Sequence, residues 1–149
     1  MPRRIKRSSD KEDIYKSLTE GDYKVFKTMK DVFLFAASIG YQENKREVLN
    51  KVDGEIPWSV FRGDTDTAFI DSIAIAETKD IRILLSDEET YDKKFKILEE
   101  YANYGMNILR RKIIESPGDP IDNLVSLIIE YEDGKKKKNK LTSFVDELF

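Results

Sequence analysis

The stretch Phe26-Lys-Thr-Met-Lys-Asp-Val-Phe-Leu-Phe-Ala-Ala-Ser-Ile-Gly40 decides the fold class of this chain. Phe26, Met29, Val32, Phe33, Ala36, Ala37 and Gly40 recur at three- and four-residue spacings, which puts them on one face of a helix. Lys27, Lys30 and Asp31 fall on the opposite face. Leu34 and Phe35 widen the stripe, so the helix is expected to be buried on more than one side, as a central core helix is. Gly40 suits the left-handed position that ends many helices, so a stop is expected there. The stripe itself carries no chemistry.

Working outward, residues 2–9 read as an extended segment or short strand. Asp10 is placed to cap a helix over about 11–20, with Ile14, Leu18 and Tyr15 turned inwards. Gly21 and Asp22 mark a turn. After the central helix, residues 41–55 are polar and read as a loop or hairpin. Ile56-Pro-Trp-Ser-Val-Phe61 follows, with Pro57 suited to a first helical turn and Trp58 and Phe61 sharing a face towards the core. Asp64 or Thr65 can cap a helix over about 66–78. Residues 80–86 fit either a short buried strand or a helical turn. Asp87 opens a long helix to about 115, through Tyr91, Phe95, Leu98, Tyr101, Ala102, Met106, Leu109 and Ile113. Gly105 inside it costs about 1 kcal/mol against Ala, so a close helix–helix approach or a kink is expected there. Ser116-Pro-Gly-Asp-Pro120 stops that helix. A last core helix over about 121–132 carries Ile121, Leu124, Val125, Leu127 and Ile128.

These elements predict an all-α, or mostly α, compact multi-helix domain over residues 1–133. It has a short basic extended N-terminal segment, and residues 134–149 follow as a basic linker and a tethered amphipathic helix. At 149 residues the chain fits one domain with a core of its own. An apolar content of 40%, with 8 Phe and 7 Tyr, argues against global disorder. Net charge is −3, which excludes a histone-like polycation, but the charge is uneven. Arg3, Arg4, Lys6 and Arg7 make the N-terminus basic, Lys135 to Lys138 with Lys140 form a second basic run, and 64–100 is mostly acidic.

Cys and His are both absent. That removes disulfides, thiolate nucleophiles, Cys-based zinc sites, the commonest general base and the Ser-His-Asp arrangement. No glycine-rich nucleotide motif occurs. No cofactor or metal is expected, and no catalytic residue is assigned. There is no signal-peptide core and no apolar run long enough to span a bilayer, so no membrane role and a cytoplasmic location are expected.

Several segments resemble the small Dnd-system-associated proteins, which are encoded beside DNA phosphorothioation genes. They are Phe26 to Gly40, Glu55-Ile-Pro-Trp-Ser-Val-Phe61, Ala68-Phe-Ile-Asp-Ser-Ile-Ala-Ile-Ala-Glu-Thr78, Glu99-Glu-Tyr-Ala-Asn-Tyr-Gly105 and Pro117-Gly-Asp-Pro-Ile-Asp-Asn-Leu124. The resemblance covers roughly residues 10–128. A looser similarity runs to DndE, the small helical subunit of the sulfur-modification machinery. The resemblance implies a helical accessory protein of DNA modification, restriction or phage defence, with larger proteins of the same operon as partners. DndE-like proteins engage DNA through lysines. No catalytic motif comes with the family.

Candidate sites follow from charge and pattern. Arg3, Arg4, Lys6, Arg7 and Lys11 form a basic arm suited to phosphates, or a solvated terminus. Lys24, Lys27 and Lys30, spaced by three, can extend that patch from the exposed face of the central helix, and Lys45, Arg46 and Lys51 can join them. The Lys135–Lys140 run fits an electrostatic tail or a solubilising linker. Leu141, Phe144, Val145 and Leu148 make an apolar stripe expected to dock on this chain or on a partner. Glu77-Thr-Lys79, with Asp64 or Asp71 upstream, matches a nuclease-like ExK triplet, but that chemistry needs a sheet strand and Glu77 ends a predicted helix.

The expected function is a non-catalytic accessory subunit of a bacterial phosphorothioation-related anti-phage system, engaging double-stranded DNA or assembling larger subunits. The alternative is a protein-interaction adaptor without nucleic-acid contact, and a Mg²⁺-dependent nuclease is the remote one. A homo-oligomer is compatible with either of the first two.

Overall fold

In the computed structural model, residues 2–21 and 24–148 are described, with side chains through residue 134. The domain is mostly α. Strand β1 (Ile5–Ser8) leads through a 3₁₀ turn (Ser9–Lys11) into α1 (Glu12–Thr19). Then come α2 (Met29–Glu43), β2 (Val52–Ile56), a 3₁₀ turn (Trp58–Val60) and α3 (Asp66–Thr78). A 3₁₀ turn (Ile81–Leu84), α4 (Glu88–Leu109), a π-helical turn (Arg110–Ile114) and α5 (Pro120–Leu148) complete the order. The strands pair antiparallel, Ile5 opposite Ile56 and Arg7 opposite Gly54, with the register slipping between Arg7 and Ser8.

The core is built on α2 against α4, the most extensive packing in the fold. Phe33, Ala36 and Ala37 of α2 meet Phe95, Leu98, Tyr101, Ala102 and Met106 of α4, all of them buried. Ile14, Tyr15 and Leu18 of α1 close one end, as their spacing predicts. Trp58 stacks on Phe61 at 5.3 Å between centroids and lies 4.9 Å from Phe95, so the short aromatic element packs inwards as expected.

Gly40 does not end α2. A Cβ on Gly40 would collide with the carbonyl of Tyr101, and one on Gly105 would collide with the carbonyl of Ala36. Each glycine therefore exists for the close approach of the other helix. The close approach expected at Gly105 is present, and Gly40 is its counterpart rather than a stop. The helix continues three residues to Glu43, and Asn44 takes the left-handed position at φ 54°, its N–H reaching the carbonyls of Gly40 and Tyr41. At the other end α2 starts at Met29, where Thr28 Oγ1 accepts from the Asp31 N–H at 3.2 Å. Phe26 and Lys27 therefore precede the helix.

Other boundaries follow from local hydrogen bonds. Asp10 caps nothing: its carboxylate accepts from Ser8 Oγ at 2.5 Å and Lys11 Nζ at 2.9 Å, and α1 begins at Glu12 without a side-chain cap. Residues 80–86 form the helical turn rather than a strand, with Asp80 accepting from the Arg82 N–H at 3.0 Å. Asp87 caps α4 by accepting from the Thr90 N–H at 2.9 Å. The polar stretch 41–55 divides among the end of α2, a loop and β2, whose partner is β1 rather than a neighbouring hairpin strand.

The last helix departs most from expectation. α5 runs to Leu148, through the stretch that reads as a linker. Of the residues expected in its core face, Leu127 is buried and Leu124 is half-buried, while Ile121, Val125 and Ile128 are exposed. The apolar residues of 121–131 cover more than one face of the helix, so periodicity alone left open which of them would meet the core.

Candidate interaction surfaces

The basic arm is mostly bound into its own domain. Arg3 reaches from the start of the chain to α4, donating to Glu99 at 2.7 and 3.0 Å and to Asp92 at 2.7 Å. Glu99 also accepts the Lys6 backbone N–H at 2.6 Å. Burial opposes the charge on Arg3, but the hydrogen bonds to Glu99 and Asp92 win and raise its pKa above the ordinary guanidinium value. Arg7 is buried beside Glu12 at 3.3 Å, contacts Met29 Sδ and lies over the Tyr15 ring. Arg7 Nε and Glu12 Oε2 have no hydrogen-bond partner among the described residues. Lys11 is buried between Asp10 and Glu47. In the same strand segment Arg4 is exposed and Lys6 half-exposed.

Lys24 and Lys27 are exposed in the segment before α2, not on its outer face. Lys30 lies in the first turn of α2 and pairs with Asp66 at 2.8 Å, both side chains largely covered. The Asp66 carboxyl, despite partial burial, is held below its ordinary range by the Arg62 N–H and by Lys30. The structure thus separates the sequence-level basic set. Arg3, Arg7 and Lys30 neutralise internal carboxylates, and Arg4, Lys6, Lys24 and Lys27 make no ion pair among the described residues. Arg46 also turns inwards, to Glu77 at 2.7 Å and Glu100 at 3.1 Å. The side chains of Lys135–Lys138, Lys140, Leu141, Phe144, Val145 and Leu148 lie outside the described residues.

Glu77 of the ExK triplet belongs to a latch between α3, α4 and the loop after α2. Its carboxylate accepts from the Tyr101 hydroxyl at 2.5 Å and from Arg46 at 2.7 Å. The Tyr101 hydrogen bond, then Arg46, hold its pKa below the ordinary glutamate range. Burial, reinforced by the same carboxylate, pushes the Tyr101 phenol up to about 12. Asp71 is engaged by Lys94 at 2.8 Å, and Asp64 sits by Arg62 at 3.7 Å on the surface. Among the described residues no group of three acidic, His or Cys side chains could hold a metal ion.

The surface that the sequence concealed is the outer face of α5. Ile121, Val125, Ile128 and Ile129 are 46%, 49%, 39% and 50% exposed. At about 100° per residue they share an arc of roughly 100°, opposite the side that packs inwards. The inner side is fixed by buried Leu127 and by hydrogen bonds from Asn123 Nδ2 to the carbonyls of Ile113 and Ser116, at 3.1 and 3.3 Å. The Tyr131 hydroxyl donates to Glu43 at 2.7 Å and ties α5 to the end of α2. A shallow groove of about 230 Å³ runs between the two helices, lined by Phe35, Ser38, Ile39, Gln42, Ile128, Tyr131 and Glu132. Four aliphatic side chains left in water on one face are the pattern that marks interaction surfaces. A cheap signal existed in the sequence: 121–129 carries more apolar residues than one buried face can use.

No helix among the described residues is long and apolar enough to cross a membrane. No curated protein and no solved structure matches the chain. The family of DNA sulphur modification system-associated protein 4 matches residues 4–146, nearly the whole chain and beyond the span of the resemblance seen in the sequence. The chain belongs to that Dnd-associated family, and with it to the proteins associated with a DNA sulphur modification system.

Proposed function

We propose that this chain is a non-catalytic accessory subunit of a phosphorothioation-linked anti-phage system, working in the cytoplasm by assembling larger proteins of the same operon. The observation that carries this reading is the exposed aliphatic face of α5 on a domain whose other helices bury their stripes. The fate of the basic arm supports it: Arg3, Arg7 and Lys11, three of the five N-terminal cations expected to meet phosphate, instead pair with carboxylates of their own domain. A second reading, direct engagement of double-stranded DNA, rests on Arg4, Lys6, Lys24 and Lys27, which carry no ion pair among the described residues.

Complementation separates the two. Deleting the gene from a host that carries the system should lower its protection against phage, and the wild-type chain should restore it. A chain with Val125→Asp and Ile128→Asp should fail to restore protection if assembly is the task. A chain with Arg4, Lys6, Lys24 and Lys27 all changed to Ala should fail if DNA contact is. Unchanged protection and unchanged phosphorothioate content in the deletion strain would remove the accessory role altogether.

A further inference from the structure

We infer that the outer face of α5, with the groove it forms against α2, receives a lysine- or arginine-rich amphipathic helix of a partner protein. This names the occupant of the assembly surface proposed above and rests on that reading.

Charge is the first argument. Residues 115–134 carry Glu115, Asp119, Asp122, Glu130, Glu132 and Asp133 and no lysine or arginine. All six are exposed, and only Glu130 has an ion pair among the described residues, a 3.6 Å contact with Lys112. An aliphatic stripe edged by these carboxylates, with the lysines of α5 beginning only at Lys135 beyond its C-terminal end, is complementary to an apolar stripe flanked by basic residues.

Shape is the second. By helical arithmetic Ile128 lies on the edge of the stripe towards α2, where the groove is, and Asp122 and Asp133 lie along the far edge. A helix set along this valley would place its apolar residues on Val125, Ile128 and the groove, and its cations over those two aspartates. From Ile121 to Glu132 the stripe is about 16 Å long, two to three turns of a facing helix.

The same features disfavour other occupants. The carboxylates would repel an anionic membrane surface or a nucleic acid.

The test uses the full chain and two synthetic helical peptides of about fourteen residues. Both carry leucine at an i, i+4, i+7, i+11 spacing, one with lysine and one with glutamate elsewhere. Fluorescence anisotropy should show the lysine peptide binding and the glutamate peptide weaker by about tenfold or more. Val125→Asp with Ile128→Asp should abolish binding while the circular dichroism melt stays in place, because both side chains are already exposed. Asp122→Asn with Asp133→Asn should flatten the salt dependence of what binding remains.

Equal binding of the two peptides overturns the basic partner, and binding that survives the Val125/Ile128 change overturns the location. A dimer mass by light scattering that the same change converts to monomer assigns the face to a second copy and overturns the proposal. Peptide binding that appears only after Leu141→Ser with Phe144→Ser assigns the face to this chain's own C-terminal segment, with the same consequence. If the α5 variant fails in complementation but the lysine peptide does not bind, assembly stands and the chemistry inferred for the partner fails.

Discussion

Gly40 and Gly105 are reciprocal: each lets its own helix lie against the backbone of the other. Gly40 faces the Tyr101 carbonyl on α4, and Gly105 faces the Ala36 carbonyl on α2. As the number rises from 36 to 40 on one helix it falls from 105 to 101 on the other, so the two run antiparallel. Two glycines four residues from the partner's contact point hold the two longest core surfaces together. Everything the domain displays hangs from that crossing.

Gly105→Ala should therefore destabilise the protein strongly, although alanine is the better helix former. The inserted methyl meets backbone, which cannot rotate away, so a loss of about 2–3 kcal/mol or more is expected. Gly40→Ala should behave alike. Gly134→Ala is the control: Gly134 lies within α5 with open space around it, and alanine there should stabilise by about 0.5–1 kcal/mol. Urea denaturation of the three variants checks the opposite signs. A neutral Gly105→Ala would mean that the helices do not approach so closely.

Arg3→Ala should weaken folding rather than only a surface property. The side chain of Glu99 is 4% exposed and would keep a backbone N–H but lose its guanidinium. A buried carboxylate left without its cation should cost about 1–3 kcal/mol at neutral pH. Arg4→Ala, beside it and exposed, should be close to neutral in the same thermal melt. If the two variants melt alike, the Arg3–Glu99 pair contributes nothing.

The Glu77 latch sets a pH dependence. Its folded pKa is depressed, so its contribution is complete above the unfolded value of about 4.3 and is lost as pH falls through the lower folded value. Glu77→Gln should cost about 1 kcal/mol at pH 7, and wild type and variant should converge in acid below about pH 4. Tyr101 works the other way. Its phenol is raised to about 12, so its contribution is present below the unfolded value of about 10 and disappears as pH climbs towards 12. Tyr101→Phe should remove that alkaline limb. Chemical denaturation across pH reads both, and a Glu77→Gln deficit that persists unchanged in acid would contradict the latch.

DNA contact, if the chain makes it, should run through Arg4, Lys6, Lys24 and Lys27. Each phosphate neutralised contributes about 0.9 to the log–log salt slope. Changing all four to Ala should lower the slope measured by anisotropy on duplex DNA, with little loss of fold stability. If wild type and variant give the same curve at every salt, DNA engagement through this patch is excluded and the assembly reading gains.

How far the sequence reaches can be judged at single residues. Inward positions such as Ile14, Leu18, Phe33, Phe95 and Met106 were legible, because a helix that must cover a core repeats its apolar residues every three or four positions. The capping of α4 by Asp87 and the stop at Ser116–Pro120 were legible too, since those signals act between residues close in the chain. The mostly α fold follows from the same local patterns, while the family rests on the resemblance of whole segments and on the match over residues 4–146. Gly40 was misread as a stop because its reason sits 61 positions away in the chain, at Tyr101. The division of the cations was hidden for the same cause: whether an arginine meets solvent or Glu99 depends on which strand lies beside which helix. α5 is the clearest case. Its apolar residues over 121–131 recur at helical spacing but cover more than one face, so the sequence determined only that it would be a helix. Only the tertiary structure, with α2 and the π-helical turn occupying one side, decided that Leu127 is core and that Ile121, Val125, Ile128 and Ile129 face outwards.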